Sequence, residues 1–204
     1  MNQETPNNPA LDISVLSLPL SIEEIFGNDK NSALEIGFGE GEFIVEVAKN
    51  NPNWNYLGIE IKYFRYKKAL KLVLNQNIRN IKLIHFDAGL AVEQVFAANI
   101  FDRVYINFPD PWPKDRHKKH RIINNNFLDN LYNIMKEQGI LEFTSDHLDY
   151  VTHTIEHFDS HNKFSNIFGK QGYSHLIENR PQTKFEKEFL DKKRQIYYLS
   201  FKKL

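Results

Sequence analysis

Ala33-Leu-Glu-Ile-Gly-Phe-Gly-Glu-Gly41, running straight into Glu-Phe-Ile-Val-Glu-Val-Ala-Lys-Asn50, is the stretch on which the fold turns. A short apolar run meets three alternating glycines, and a helical pattern starts at once. Strand, glycine turn and helix make the first half of a βαβ unit. Outward from it, further strand-length runs fall at Tyr56–Ile61, Ile81–Asp87, Phe101–Phe108 and Ile140–Ser145. Helical stretches over Gly41–Asn50, Tyr63–Leu74, Leu90–Ala97 and Asn125–Lys136 separate them. A fifth helix is read at Leu148–Phe158, and Gln195–Phe201 reads as a strand pairing antiparallel with one near Phe164–Phe168. This alternation predicts an α/β fold, a mostly parallel sheet with helices on both faces. Residues 1–30 hold Pro6, Pro9 and Pro19 without a sustained period and are expected to form an N-terminal arm before one domain over 31–204.

The glycine turn narrows the ligand. A dinucleotide site of the G-x-G-x-x-G type needs glycine at position 42, where this chain has Glu42. Glu40 and Glu42 would also repel a pyrophosphate at the helix N-terminus. S-adenosylmethionine carries no phosphate but an ammonium and a sulfonium, which suits Glu35 on the strand before Gly37 and Gly39. Strand two ends in Gly58-Ile-Glu60, where a carboxylate can accept from both ribose hydroxyls. Strand three ends in His85-Phe-Asp87-Ala88, placed to receive an adenine amino group. All three acidic ends fall at the carboxyl edge of the sheet, where open α/β sheets bind ligands.

After the fourth strand comes Asn107-Phe-Pro-Asp-Pro-Trp-Pro-Lys-Asp-Arg-His-Lys-Lys-His-Arg121. Three prolines in five residues stiffen the backbone around Asp110. Lys114 to Arg121 holds five Lys or Arg against one Asp, in a chain of 204 residues whose formal net charge is zero. These residues show no apolar period and are expected to be exposed, a local positive field for a polyanion. Phe108 or Trp112 could stack on an extruded base, and packing of Trp112 against the proline loop is an equal alternative.

This run resembles the signature of the bacterial tRNA (guanine-N7-)-methyltransferases. The segments from Glu35, from Gly58 and from Thr183 (Thr-Lys-Phe-Glu) agree with it in order, so the likeness extends over about residues 33 to 200. The resemblance implies a Rossmann-like class I methyltransferase with a seven-stranded sheet, S-adenosylmethionine as methyl donor, and a variable-loop guanine of tRNA as target. Carried over by position, it implies that Glu35, Gly37, Gly39, Glu60, Asp87, Ala88 and Asp110 bind the cofactor, with Asp110 also catalytic. It implies that Lys114, Arg116, His117, Lys118, Lys119, His120 and Arg121 meet tRNA, with Asp146, Thr183, Lys184, Phe185 and Glu186 on the substrate side. Asp115 and His120 depart from the family pattern by standing where basic residues are usual.

Other chemistries have weaker hooks. Methylation of an exocyclic amine favours an Asn/Asp-Pro-Pro-aromatic loop, and here Phe108 precedes a single Pro109. His153-Thr-Ile-Glu-His157 matches an inverted zinc-hydrolase motif, but polar residues opposite an apolar stripe are common on helices. An RNA-binding module without catalysis would have no need for acidic ends on three strands. No metal is expected. The absence of cysteine, of a long apolar span and of an N-terminal basic-apolar signal predicts a cytoplasmic enzyme without a membrane partner, with no obligate protein partner evident. Oligomeric state is not readable.

Overall fold

The computed structural model describes residues 8–204. Seven strands form one sheet: β1 Ser32–Ile36, β2 Asn55–Glu60, β3 Ile81–His85, β4 Phe101–Asn107, β5 Met135–Ser145, β6 Phe164–Asn166 and β7 Tyr197–Lys203. Their order is β3-β2-β1-β4-β5-β7-β6. β1 to β5 run parallel, whereas β7 is antiparallel to both β5 and β6, between which it is inserted. The helices are α1 Ile22–Phe26, α2 Glu42–Asn50, α3 Tyr63–Asn75, α4 Ala88–Gln94, α5 Asn125–Ile134, α6 Leu148–His161 and α7 Lys184–Asp191. The strand order reverses between β1 and β4, and the groove that opens there is the expected ligand site.

Two apolar layers cover the sheet. One, with Leu34, Ile36, Val104, Phe127, Leu131 and Phe143, joins the sheet to α4, α5 and α6. The other, with Ala33, Phe43, Ile44, Leu83, Ala69 and Val73, joins it to α2 and α3. Gly41, at a φ of +90°, starts α2 where a Cβ would stand 2.7 Å from Ala69 Cβ, so only glycine lets α2 and α3 approach this closely.

The structure differs from the sequence expectation in three places. First, residues 9–30 lie along the domain: Leu11, Leu20, Ile22 and Ile25 are buried, and Leu20 bridges to Phe96. Their apolar positions carry no period because this segment docks by single side chains. Positions 1–7 of the expected arm fall outside the described residues. Second, β5 begins at Met135, ahead of the expected Ile140, because Met135 pairs with Phe101 across an irregularity in the β4–β5 ladder. Third, α7 and a 3-10 turn over Asp115–His120 form where no element was expected. Among the described residues no helix is long and apolar enough to cross a membrane.

Candidate active site

Strand register explains how the acidic residues are arrayed. Glu35 stands beside Gly58 on β2 and Tyr105 on β4. Glu60 and Asn107 therefore lie two residues further toward the carboxyl edge, about 6.6 Å, and on the same face of the sheet. Asp87 lies two residues beyond His85, the partner of Glu60. The carboxylates step outward, with Glu35 deepest.

Glu35 is 3% exposed. Its Oε1 accepts from Asn107 Nδ2 at 3.0 Å, and its Oε2 is buried without a partner among the described residues. Burial pushes this carboxyl up to about 7, against the pull of Asn107 and Arg180; the charges of Glu42 and Glu60 push it higher. A buried carboxylate with one oxygen unbonded is a socket for a cationic donor. Glu60 accepts from the Gly39 and Lys62 backbone N–H groups at 3.0 and 2.8 Å, which ties the glycine turn to the end of β2. Each of its oxygens keeps a lone pair for a hydroxyl donor. Asp87 caps α4 by accepting from Leu90 N–H through Oδ1 at 3.0 Å.

A pocket of about 140 Å³ is lined by Glu35, Gly37, Gly39, Phe43, Asn107, Phe108, Thr183, Lys184 and Phe185. It adjoins, through Gly37, Asn107 and Phe108, a groove of about 850 Å³ lined by Glu60, Asp87, Ala88, Asp110, Trp112, Lys119 and His120. That volume lies within the ~300–1,000 Å³ range of small-molecule sites. Every residue expected at the cofactor thus lines one of two adjoining cavities.

The proline loop is held in a demanding backbone. Phe108 and Trp112 have φ of +48° and +43°, a region that bulky residues occupy only when their surroundings compel it. The Phe108 ring packs on Phe189, and Trp112 on His117 and His120. His117 and His120 thus flank the indole, which stays partly exposed on the groove.

Arg121 requires a correction. It was expected to be an exposed phosphate ligand, yet its side chain is 1% exposed. Its Nε donates to Pro111 O at 2.9 Å, its Nη2 pairs with Asp149, and its guanidinium lies 4.7 Å from the Tyr150 ring centroid. It staples the proline loop to α6. Asp149 is held well below the usual carboxylate range, at about 2, by hydrogen bonds from Arg121 and Lys118. Lys118 bonds both Asp115 and Asp149 at 3.0 Å, so the loop's outward charge rests on Lys114, Arg116 and Lys119. Thr183 and Glu186 also have structural roles. Both are buried and satisfy each other's backbone in the capping box of α7, while Lys184 and Phe185 stay exposed. Asp146 is paired with Arg194 at 2.7 Å.

One residue at the centre was not anticipated. The Arg180 side chain is 5% exposed and donates to Glu186 Oε2 at 3.0 Å, to Thr144 Oγ1 at 3.1 Å and to Asn107 Oδ1. Its guanidinium lies 4.7 Å from the Phe43 ring centroid, and its Nε lies 3.4 Å from Glu142 without hydrogen-bond alignment. The Tyr198 hydroxyl bonds the other oxygen of Glu186. Arg180 so orients Asn107, which in turn holds Glu35. The His153–Glu156–His157 motif is otherwise engaged: His153 Nε2 bonds Ile123 O at 3.0 Å and His157 Nδ1 bonds His153 O at 2.9 Å.

Comparison with known proteins agrees with this architecture. A family model described as "Putative methyltransferase" matches residues 29–199. A tRNA (guanine-N(7)-)-methyltransferase of Francisella philomiragia is 37% identical over 82% of this chain and 72% of its own length. One of Streptococcus mutans is 34% identical over 86% and 82%. This chain belongs to that family. A third relative, of Thermotoga maritima, is 34% identical over 83% of the chain, which spans 54% of that longer protein. Among solved structures, an antibiotic-resistance methyltransferase superposes with a TM-score of 0.63 at 11% identity, covering 93% of this chain and 96% of its own. An rRNA methylase from Streptococcus thermophilus gives 0.56 at 11%, covering 87% and 90%. At such identities these two establish the class I methyltransferase fold.

Proposed function

We infer that the chain transfers a methyl group from S-adenosylmethionine to N7 of a variable-loop guanine in tRNA. The observation that carries this is the placement of the Asn107–Arg121 loop: it brings Asp110 and the Lys119 end of the basic turn onto the same groove as Glu60 and Asp87. Family membership supports it, since the relatives are named tRNA (guanine-N(7)-)-methyltransferases.

The residues present fit the cofactor. Glu35 offers a buried oxygen without a partner to an ammonium, and Glu60 offers lone pairs to ribose hydroxyls. When bound, S-adenosylmethionine supplies an electrophilic sulfonium methyl. Guanine N7 presents an in-plane lone pair and no proton, so the chain needs no general base, and catalysis is mostly a matter of positioning. The methylated ring becomes cationic, and the carboxylate of Asp110, which lines the groove, would favour that charge. Phe43, Phe108 and Phe185 give the inner pocket apolar walls that strengthen the field of Glu35.

Unmodified tRNA transcripts incubated with labelled cofactor should gain label at one guanine, and the strand should become cleavable there, as a cationic N7-methylguanine requires. Label on a cleavage-resistant amine would overturn the reading.

Cofactor affinity should depend on pH. Glu35 is charged above about 7 and neutral below it, so calorimetric affinity for S-adenosylmethionine is expected to rise as pH increases through 7. Glu35→Gln should bind weakly and remove this rise. Folding stability should move the other way. The folded state holds the Glu35 proton to about 7 while the unfolded chain releases it near 4.5, so this one group destabilises the fold as pH climbs between those values. A flat binding profile from pH 6 to 8 would remove Glu35 from ammonium recognition.

A further inference from the structure

We propose that the exposed face of α3 is a second docking surface for the tRNA, gripping backbone on the opposite side of the groove from the proline loop. This rests on the RNA-methylating reading above.

Residues 62–71 hold five Lys or Arg and no Asp or Glu, a denser positive run than the proline loop carries once its own ion pairs are counted. Lys62, Lys67, Lys68 and Lys71 are exposed. Among the described residues only Lys68 of these has a carboxylate within 4 Å, Glu40 at 2.8 Å. Four residues along a helix return to the same face, so Tyr63, Lys67 and Lys71 form one ridge and Phe64 and Lys68 the next. The buried side of the helix is Ala69 and Val73.

Uncommonly for a soluble face, the charged ridges begin in aromatics: Tyr63 is 59% exposed and Phe64 58%. Open rings interleaved with lysines, of which Lys62, Lys67 and Lys71 have no carboxylate within 4 Å among the described residues, match a partner that offers phosphates and base faces together. A protein partner with an apolar patch would leave the lysine charges stranded, whereas RNA satisfies both. Continuity with the reaction site favours RNA as well. Lys62 and Arg65, at the start of α3, line the same groove as Asp110 and Lys119. The ends of β2 and β4 are two strand spacings apart, roughly 10 Å, so one strand of RNA can reach both. In this arrangement the target nucleotide sits between two positive walls.

The test uses the full chain and its K67Q/K71Q variant, with K30Q/K49Q, on a groove at the opposite edge of the sheet, as a control for net charge. Binding of an unmodified tRNA transcript is measured across a salt series. The K67Q/K71Q variant should lower the slope of log affinity against log salt by about two, at about one per phosphate contact, and raise the KM for tRNA with kcat unchanged. K30Q/K49Q should match the parent. Calorimetric affinity for S-adenosylmethionine should be equal in all three, showing intact folding. A parental slope and KM in K67Q/K71Q overturn the α3 surface while leaving the methyltransferase reading in place. Equal losses in both variants also overturn it, since the effect would then be net charge. Sedimentation of the parent as a dimer that F64A dissociates would assign the face to a second copy of the chain and overturn RNA docking. Absence of tRNA binding in the parent would overturn both readings together.

Discussion

Alanine in place of Asp110 is expected to cut methyl transfer by about 10²–10³-fold while tRNA affinity stays near that of the parent. The scale is that seen when one group aimed at developing charge is removed from an active site, and Asp110, exposed on the groove, should fall at its lower end. Binding should be spared because Asp110 is one acidic side chain beside the cations proposed to hold phosphate, and its loss slightly favours a polyanion. The asparagine variant separates two uses of the carboxylate. Asn keeps an acceptor but loses the charge, so if Asp110 works by favouring the cationic ring, Asn should fail nearly as badly as Ala. If its main task is to accept from the guanine N1–H and amino edge, Asn should recover much of the rate and relax the choice of base. Single-turnover transfer with saturating enzyme reads the chemical step directly. Full activity in the alanine variant would take Asp110 out of the mechanism.

The second large effect is expected at Arg180, through stability. Its guanidinium is enclosed with Glu186 and Glu142, and it is a positioning residue for Asn107 and Glu35. Arg180→Met keeps much of the volume and leaves the buried Glu186 without its cation, while Glu142 keeps Arg103 at 3.2 Å. Removing one partner of a buried pair costs about 3–5 kcal/mol. At roughly 2–4 °C per kcal/mol for a chain of this size, melting should fall by about 6–20 °C. A merely structural role would end there. The positioning role adds a shift in binding: without the Arg180 charge, which now lowers the Glu35 pKa, Glu35 should ionise at higher pH and the binding profile should move up with it. Arg180→Lys keeps the charge but not the planar fork, so it should restore the pH profile better than the melting temperature. Unchanged melting in Arg180→Met would mean that the network carries no energy.

How legible was this site in the residues alone? The parallel strands, their order of appearance and the carboxylates on their ends followed from local pattern, because each lies within a short run whose period is visible. The antiparallel pairing of the last strand was also visible, as an apolar run late in the chain. Arg180 was not. It sits in an irregular segment without helical or strand period, and its importance comes from Asn107, Thr144 and Glu142, which only the folded sheet brings near. Arg121 failed for the opposite reason: its neighbours in sequence are exposed cations, and nothing local reveals that Asp149 and Tyr150 enclose it. The α3 charge was legible in principle. Five Lys or Arg stand in residues 62–71, but that Lys62 and Arg65 border the same groove as Asp110 is set only by the fold.

The insertion of β7 between β5 and β6 has a consequence for biosynthesis. As the chain leaves the ribosome, β1 to β5 can zip together in order, yet β5 must wait with a naked edge, and β6 has no strand to lie against. Open edges of this kind recruit unwanted neighbours. Tyr198, which secures the Glu186 partner of Arg180, arrives on that same late strand. The electrostatic centre is therefore completed only once β7 has emerged, and a nascent chain stalled before that strand would hold β1 to β5 in place and still be inert.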